Sequence, residues 1–198
     1  MKVISDSCNI FRFNPIDKRQ YMKKISLLIF CISTFCAYQY LPAQELKSEF
    51  IFDMELDLNP PRVSGAVPNN TRVIYTVTSG VVKGDKVNGK VLPGGGDFGV
   101  VVDPTTYKLD VKATIQTDDG ALIYVIYSGY LHTTDSKTFD LVDSDKGPNI
   151  PAADLYFRSN PMFETSSPKY AWLNHTVAVG VGRIPAQNKV AYRIYAIK

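Results

Sequence analysis

KLDVKATIQTDDGALIYVIYSGYL, residues 108–131, decides the fold class. Leu109, Val111, Ala113 and Ile115 alternate with polar residues before Asp119-Gly120, and Leu122, Tyr124 and Ile126 stand at alternate positions after it. Successive side chains on a strand point to opposite faces, so a period of two marks a strand with one buried face. Asp-Gly between two such runs is a strong hairpin signal, because both residues tolerate the backbone of a tight turn. The stretch reads as two antiparallel strands joined by a short turn.

The same pattern extends outward in both directions. Phe50, Phe52, Met54, Leu56 and Leu58 alternate with Asp53, Glu55 and Asp57. Asn59-Pro60-Pro61 stops that strand, since proline has no N–H to give a ladder and its φ is fixed. Val73, Tyr75 and Val77 alternate next. Further strand regions are expected at 81–92, 98–102, 107–117, 121–131, 155–160, 172–181 and 189–197, with a turn at Gly84-Asp85 preferred over Asn88-Gly89. No stretch after the first 43 residues combines a helical period with caps. Roughly nine or ten short strands with frequent turns indicate an all-β chain, and closure into a single antiparallel β-barrel removes the exposed edges. Residues 133–153 form one long polar connection, of a length found in functional lids or mobile loops.

Residues 1–43 are different in kind. Met22-Lys23-Lys24 is a short basic start, ISLLIFCISTFCA (25–37) is apolar, and Leu41-Pro42-Ala43 ends on a small residue. That order is a secretory signal peptide cleaved after Ala43. The apolar run is shorter than the roughly 20 residues of a membrane-spanning helix, so a permanent membrane anchor is not expected and the product is periplasmic or secreted. Residues 1–21 fit no part of such a signal, which points to translation from Met22. Residues 44–198 then form one barrel domain.

The leader also changes the charge argument. It holds six of the 22 basic and two of the 19 acidic residues, leaving 16 against 17 in the remainder. A near-neutral domain gives no case for a nucleic-acid partner. Cys8, Cys31 and Cys36 all lie in the leader, so the domain has no disulfide, no thiolate nucleophile and no cysteine metal site. Its length suffices to bury a core without such staples.

Several constellations carry candidate chemistry. Gly94, Gly96 and Gly99 have the spacing of a dinucleotide fingerprint, but a strand follows them, not the helix N-terminus that would hold a pyrophosphate. They read as a bend or bulge at a barrel rim, with Asp97 carried at its mouth. Asp118 and Asp119 read as turn formers. His132 and His175 lack zinc-ligand spacing or a nucleophile elbow, so neither a metal nor a cofactor is expected. The richest stretch is LYFRSNPMFETSSPKYAWLN (155–174). If its end is a strand, Tyr170, Trp172 and Asn174 share one face. Arg158 and Glu164 flank the kink at Pro161 and can meet.

Three segments together, VNGKVLPGGGDF (87–98), IQTDDGALIYV (115–125) and YFRSNPMFET…PKYAWLN (156–174), resemble uncharacterised protein family 0311, also called domain of unknown function 3237. The resemblance covers essentially residues 49–198. It implies one antiparallel barrel of calycin or allene-oxide-cyclase-like type and no established general activity.

The resulting expectation is an exported barrel binding a small, partly apolar molecule, with Tyr124, Arg158, Glu164, Tyr170, Trp172 and Asn174 around the cavity. One alternative is a cofactor-free isomerase, cyclase or lyase, with Asp97 or Glu164 moving a proton and Arg158 as electrostatic support. The other is a structural or interaction protein with a filled barrel.

Overall fold

The computed structural model describes residues 45–67 and 70–198, with Arg19 and Met22. The expected signal peptide, its cleavage after Ala43 and the untranslated piece 1–21 lie outside the described residues apart from those two positions. Among the described residues no helix is long and apolar enough to cross a membrane.

The chain from Leu46 onward is all-β. Its strands are β1 (Ser48–Leu58), β2 (Arg62–Val67), β3 (Asn70–Lys83), β4 (Gly89–Asp97), β5 (Val100–Asp103), β6 (Thr106–Thr117), β7 (Leu122–Thr133), β8 (Leu155–Ser159), β9 (Met162–Glu164), β10 (Ala178–Ala186) and β11 (Lys189–Ile197). Eight of them close a ring of antiparallel pairs in the order β1, β3, β4, β6, β7, β8, β10, β11 and back to β1. The short β2, β5 and β9 lie beside the ring, on β3, on β3 and β6, and on β7. Closure leaves these eight strands no free edge.

Strand pairing separates two ends. Glu49 opposite Ala196, Asp53 opposite Lys83 and Gly89 opposite Thr117 mark one. Leu58 opposite Val77, Asp97 opposite Val111 and Ala186 opposite Lys189 mark the other. The first end is packed solid by Phe52, Ile115, Ile123, Phe163 and Leu173, all 4% exposed or less. Phe52 and Phe163 meet edge to face at 5.9 Å, a preferred aromatic geometry.

Three local expectations are corrected. Asp118–Gly120 is a three-residue loop, closed by Thr117 N–H on the Ala121 carbonyl (2.9 Å) and by Gly120 N–H on the Thr117 carbonyl (2.9 Å), with Gly120 at φ +87°. Ile115 therefore faces Ile123, so Ile123, Val125 and Tyr127 point inward while Leu122 and Tyr124 point out. A one-residue difference in register moves a whole strand face.

Residues 84–88 form one turn in which Asn88 bonds both the amide and the carbonyl of Gly84. The competing Gly84-Asp85 and Asn88-Gly89 signals thus belong to a single connection. Residues 171–175 are not strand but a 3-10 turn, Ala171–His175, and β10 begins only at Ala178. Leu173 donates to the Tyr170 carbonyl (2.9 Å), and the Asn174 amide exchanges two bonds with the Thr165 backbone (2.9 Å each). These bonds hold Tyr170 and Leu173 over the packed end as its plug.

The connection from β7 to β8 folds over the opposite end. It contains a short helix α1 (Ser136–Phe139) capped by Asp135, which accepts from the Thr138 amide (3.0 Å), and a 3-10 turn Gly147–Asn149. Gly147 is buried, and a Cβ there would lie 3.1 Å from Ile184 on β10. The same Cβ would lie 2.9 Å from the Val142 carbonyl oxygen, so glycine eases the packing of the cap both on itself and on the barrel wall.

Candidate functional site

Beneath that cap the barrel is hollow. The cavity measures about 110 Å³, several times the roughly 10–15 Å³ that one water needs. It is smaller than the roughly 300–1,000 Å³ of drug-sized ligand sites. Its wall is mostly apolar, with Leu109, Val111, Leu131 and Phe157 among its residues, and the cap contributes Phe139, Val142 and Asp143. Four tyrosines enter it: Tyr75 from β3, Tyr107 from β6, Tyr127 from β7 and Tyr192 from β11. Tyr75 and Tyr107 meet edge to face at 6.2 Å, and so do Tyr127 and Tyr192 at 5.3 Å.

Asp97, at the end of β4 and directly opposite Tyr75 in the ladder, is the carboxyl set into this wall. Burial pushes its pKa up from the ordinary 3.8 to about 6, against the opposing pull of the Asp110 amide and of the nearby Tyr107 hydroxyl, which itself donates to the Val73 carbonyl (3.4 Å). The Asp110 N–H donates to its Oδ1 at 2.9 Å. Taking a carboxylate from water into an apolar wall disfavours the charged form, which is the direction seen. Near neutrality the group sits within reach of both protonation states, as an acid/base residue requires.

Gly99 makes this meeting feasible. A Cβ at Gly99 would stand 2.3 Å from both Cζ and the hydroxyl oxygen of Tyr107, so only glycine leaves the phenol its place beside Asp97. The glycine-rich PGGGDFG is a bulged strand end that presents a carboxyl, with the register break between Leu92 and Gly96.

A second carboxyl lies at the mouth. The Tyr75 hydroxyl donates to Asp143 Oδ2 at 2.5 Å across 68 residues of sequence. Asp143 sits on the rim, and the partial shielding of its carboxyl raises its pKa. Burial raises the Tyr75 pKa most, with the Asp143 charge next. Burial is likewise the largest cause for Tyr107, Tyr127 and Tyr192, with Asp97 adding to each. All four phenols are therefore held neutral, as hydrogen-bond donors.

The other sequence-derived candidates lie elsewhere. Arg158 points outward from β8, where its guanidinium stacks 5.3 Å from the Tyr156 ring and donates to the Phe157 carbonyl (2.9 Å). Glu164 is exposed on β9 opposite Tyr124. Among the described residues the two charges form no ion pair. Tyr124, Glu164 and Asn174 share a shallow groove on the outer wall. Tyr170 is buried in the plug, its hydroxyl donating to Asp119 at 3.1 Å, and Trp172 is partly exposed beside Lys86, 5.7 Å from its ring. None of these six lines the cavity; Asp97 does.

The residues missed were the tyrosines and Asp143. Tyr75 and Tyr107 alternate with Val73, Leu109 and Val111, so their inward direction was readable. Tyr127 needed the correct hairpin register, and Asp143 in a polar loop carried no signal.

Fold and site together define a small closed antiparallel barrel, packed at one end and holding an aromatic-lined, carboxyl-bearing cavity at the other. The chain belongs to the family described as Protein of unknown function (DUF3237), which it matches over residues 46–197. It is 33% identical over 156 residues to a UPF0311 protein of Clostridium acetobutylicum, covering 78% of this chain and 96% of that one. A solved β-barrel-like protein of Acinetobacter baumannii is similar with TM-score 0.67 and 31% identity, over 80% of this chain and all of that one. A hydroalkoxylation enzyme of Penicillium herquei is 26% identical over 147 residues, 74% of this chain and 80% of that enzyme.

Proposed function

We propose that the hollow end binds a small, largely apolar molecule and that Asp97 moves a proton on it without a cofactor, closing a ring by adding a hydroxyl across a carbon–carbon double bond. The observation that carries this reading is the placement of Asp97, with its pKa near 6, in a cavity ringed by four neutral tyrosines. Hydroalkoxylation, the activity in the name of the Penicillium relative, is such an addition. The protonated Asp97 carboxyl gives its proton to the alkene, whose π bond breaks as a C–H bond forms. The ligand hydroxyl attacks the resulting carbocation, and its proton returns to the Asp97 carboxylate as the C–O bond completes. The aromatic faces of the wall favour the passing positive charge, and the apolar surroundings keep water from capturing it.

A small phenol carrying an alkenyl group beside its hydroxyl, incubated with the full chain, tests this, with the cyclic ether read by chromatography. Product should form faster than in buffer, the rate should fall as pH rises through about 6, and Asp97→Asn should remove the enhancement. A rate equal to buffer, or one unchanged in Asp97→Asn, defeats the catalytic reading.

Export is part of the proposal. Its support is the basic–apolar–small pattern of residues 22–43 and a family match that starts only at Leu46. N-terminal sequencing of protein recovered outside the cytoplasm should begin at Gln44; a product retaining Met22 counts against it.

A further inference from the structure

We infer that the hollow end selects positive charge: among molecules of one shape it holds an organic ammonium more tightly than a neutral molecule and refuses a carboxylate. This rests on the reading of the cavity as a ligand site and names the charge it takes, the cationic stage of the proposed addition included.

The two carboxyls of the cavity act on one place. Asp97 stands opposite Tyr75 in the β3–β4 ladder, and the Tyr75 hydroxyl donates to Asp143 at 2.5 Å. Both charges raise the pKa of Tyr75, and both raise that of Tyr107. Among the described residues Lys189 is the one lysine or arginine that lines the cavity, and its ammonium pairs with Glu55 (3.0 Å) and Asp57 (2.7 Å). Those two alternate with the buried Met54 and Leu56 on β1, so the pairing draws the charge to the outer face. Lys112 also acts on Asp97, but its ammonium is paired with Asp110, and neither Lys112 nor Asp110 lines the cavity. The hollow end thus carries two acidic groups and no available counter-charge.

Hydrogen-bonding capacity points the same way. The Tyr75 proton is used on Asp143 and the Tyr107 proton on the Val73 carbonyl (3.4 Å), so these phenols keep an oxygen lone pair for a ligand. Asn188, Tyr127 and Tyr192 complete the polar lining without charge. An ammonium group has three donors and no acceptor, whereas a carboxylate has acceptors alone. The first meets acceptors of opposite charge; the second would meet two like charges in a mostly apolar wall, which is costly. Phe139 and Phe157 join the four tyrosines, so six aromatic side chains line the space, and aromatic rings attract a cation. The remaining wall is largely aliphatic, which suits an ammonium carried on a small apolar body. In the proposed addition Asp97 becomes a carboxylate at the moment the ligand becomes a cation. A site complementary to that pair lowers the barrier to it, and a stable ammonium imitates its charge.

The test titrates three probes into the full chain by calorimetry at pH 8, where Asp97 is ionised. They are 4-(aminomethyl)phenol as its ammonium, 4-ethylphenol, in which a methyl replaces that ammonium, and 4-hydroxybenzoate. The ammonium should bind roughly ten-fold more tightly than 4-ethylphenol, the effect of one charge-assisted hydrogen bond, and the benzoate should bind more weakly than either. The preference is a ratio taken within each protein, so a general weakening of a variant cancels. Asp97→Asn and Asp143→Asn should each reduce it, and the two together should bring it to about one, since the charges that carry it are gone. Equal binding of the ammonium and 4-ethylphenol by the parent, tighter binding of the benzoate, or a preference that survives the double variant overturns the charge selection. Each of those outcomes leaves the cavity reading intact as long as 4-ethylphenol binds. Binding of none of the three probes overturns both.

Discussion

The two ends of this barrel are built from the same eight strands and have opposite contents. At the plugged end, inward positions carry Phe52, Ile115 and Ile123, and the turn at 171–175 seals the opening with Leu173. At the capped end, the inward positions of the same strands carry tyrosines and Asp97, and the seal is a loop that adds its own carboxyl. A ring of eight strands encloses just enough room for side chains to fill or for one small ligand. One end takes the first option and the other stays hollow, so the packed core and the carboxyl-bearing cavity are segregated along the barrel axis.

That contrast can be broken by measurement, beginning with the largest effect. Phe52→Ala, which removes a fully buried ring packed on Phe163, should cost about 3–5 kcal/mol in denaturant unfolding. Val142→Ala, on the cap and beside existing empty space, should cost about 1 kcal/mol or less. Equal losses would mean that the two ends are not energetically distinct.

Asp97 gives the next effect, and its sign follows from linkage. Its folded pKa near 6 exceeds the ordinary 3.8, so the folded state binds more protons between those values and stability falls as pH rises from about 4 to about 6. Asp97→Asn should flatten that slope and leave the variant about 1–2 kcal/mol more stable than the parent at pH 7, with the partial exposure of the site taken into account. An unchanged slope would place the carboxyl in water rather than in the wall.

Tyr170→Phe should be milder. It removes the bond to Asp119, which keeps Lys169 (2.6 Å) and Thr117 (2.5 Å) as partners, for a loss of about 1 kcal/mol. The smallest effect is spectroscopic. Trp172 sits on the plug, so its emission should not change when 4-ethylphenol occupies the capped end; a clear shift would relocate the ligand to the plugged end.

Much of the barrel was legible because period-two patterning is a local property. Residues 108–115 alternate, and the structure buries Leu109, Val111, Ala113 and Ile115 on one face. The hairpin signal at Asp119-Gly120 was equally local, but the loop length was not: one residue decided whether Tyr124 or Tyr127 looked inward. The crowded stretch 155–174 misled for a related reason. Its interleaved aromatics and charges suggest a pocket, whereas Arg158 lies on the outer face, Tyr170 on the plug and Glu164 on a short edge strand. Asp97 was recognisable because glycines around a lone carboxyl mark a bulged rim. Asp143 was not, since nothing in TTDSKTFDLVDSDKGPNIPAA distinguishes it from the aspartates beside it.

The sequence by itself determined the all-β class, the closed barrel, the family and the position of Asp97 at a rim, because alternation, turn residues and glycine content act over a few neighbouring residues. The tertiary structure alone decided which end is hollow and which carboxyls and phenols share it. Tyr75 meets Asp143 across 68 positions, and Asp97 acquires its raised pKa from walls contributed by other strands. Burial and desolvation are sums over neighbours that the chain brings together only on closing, so no local pattern can encode them.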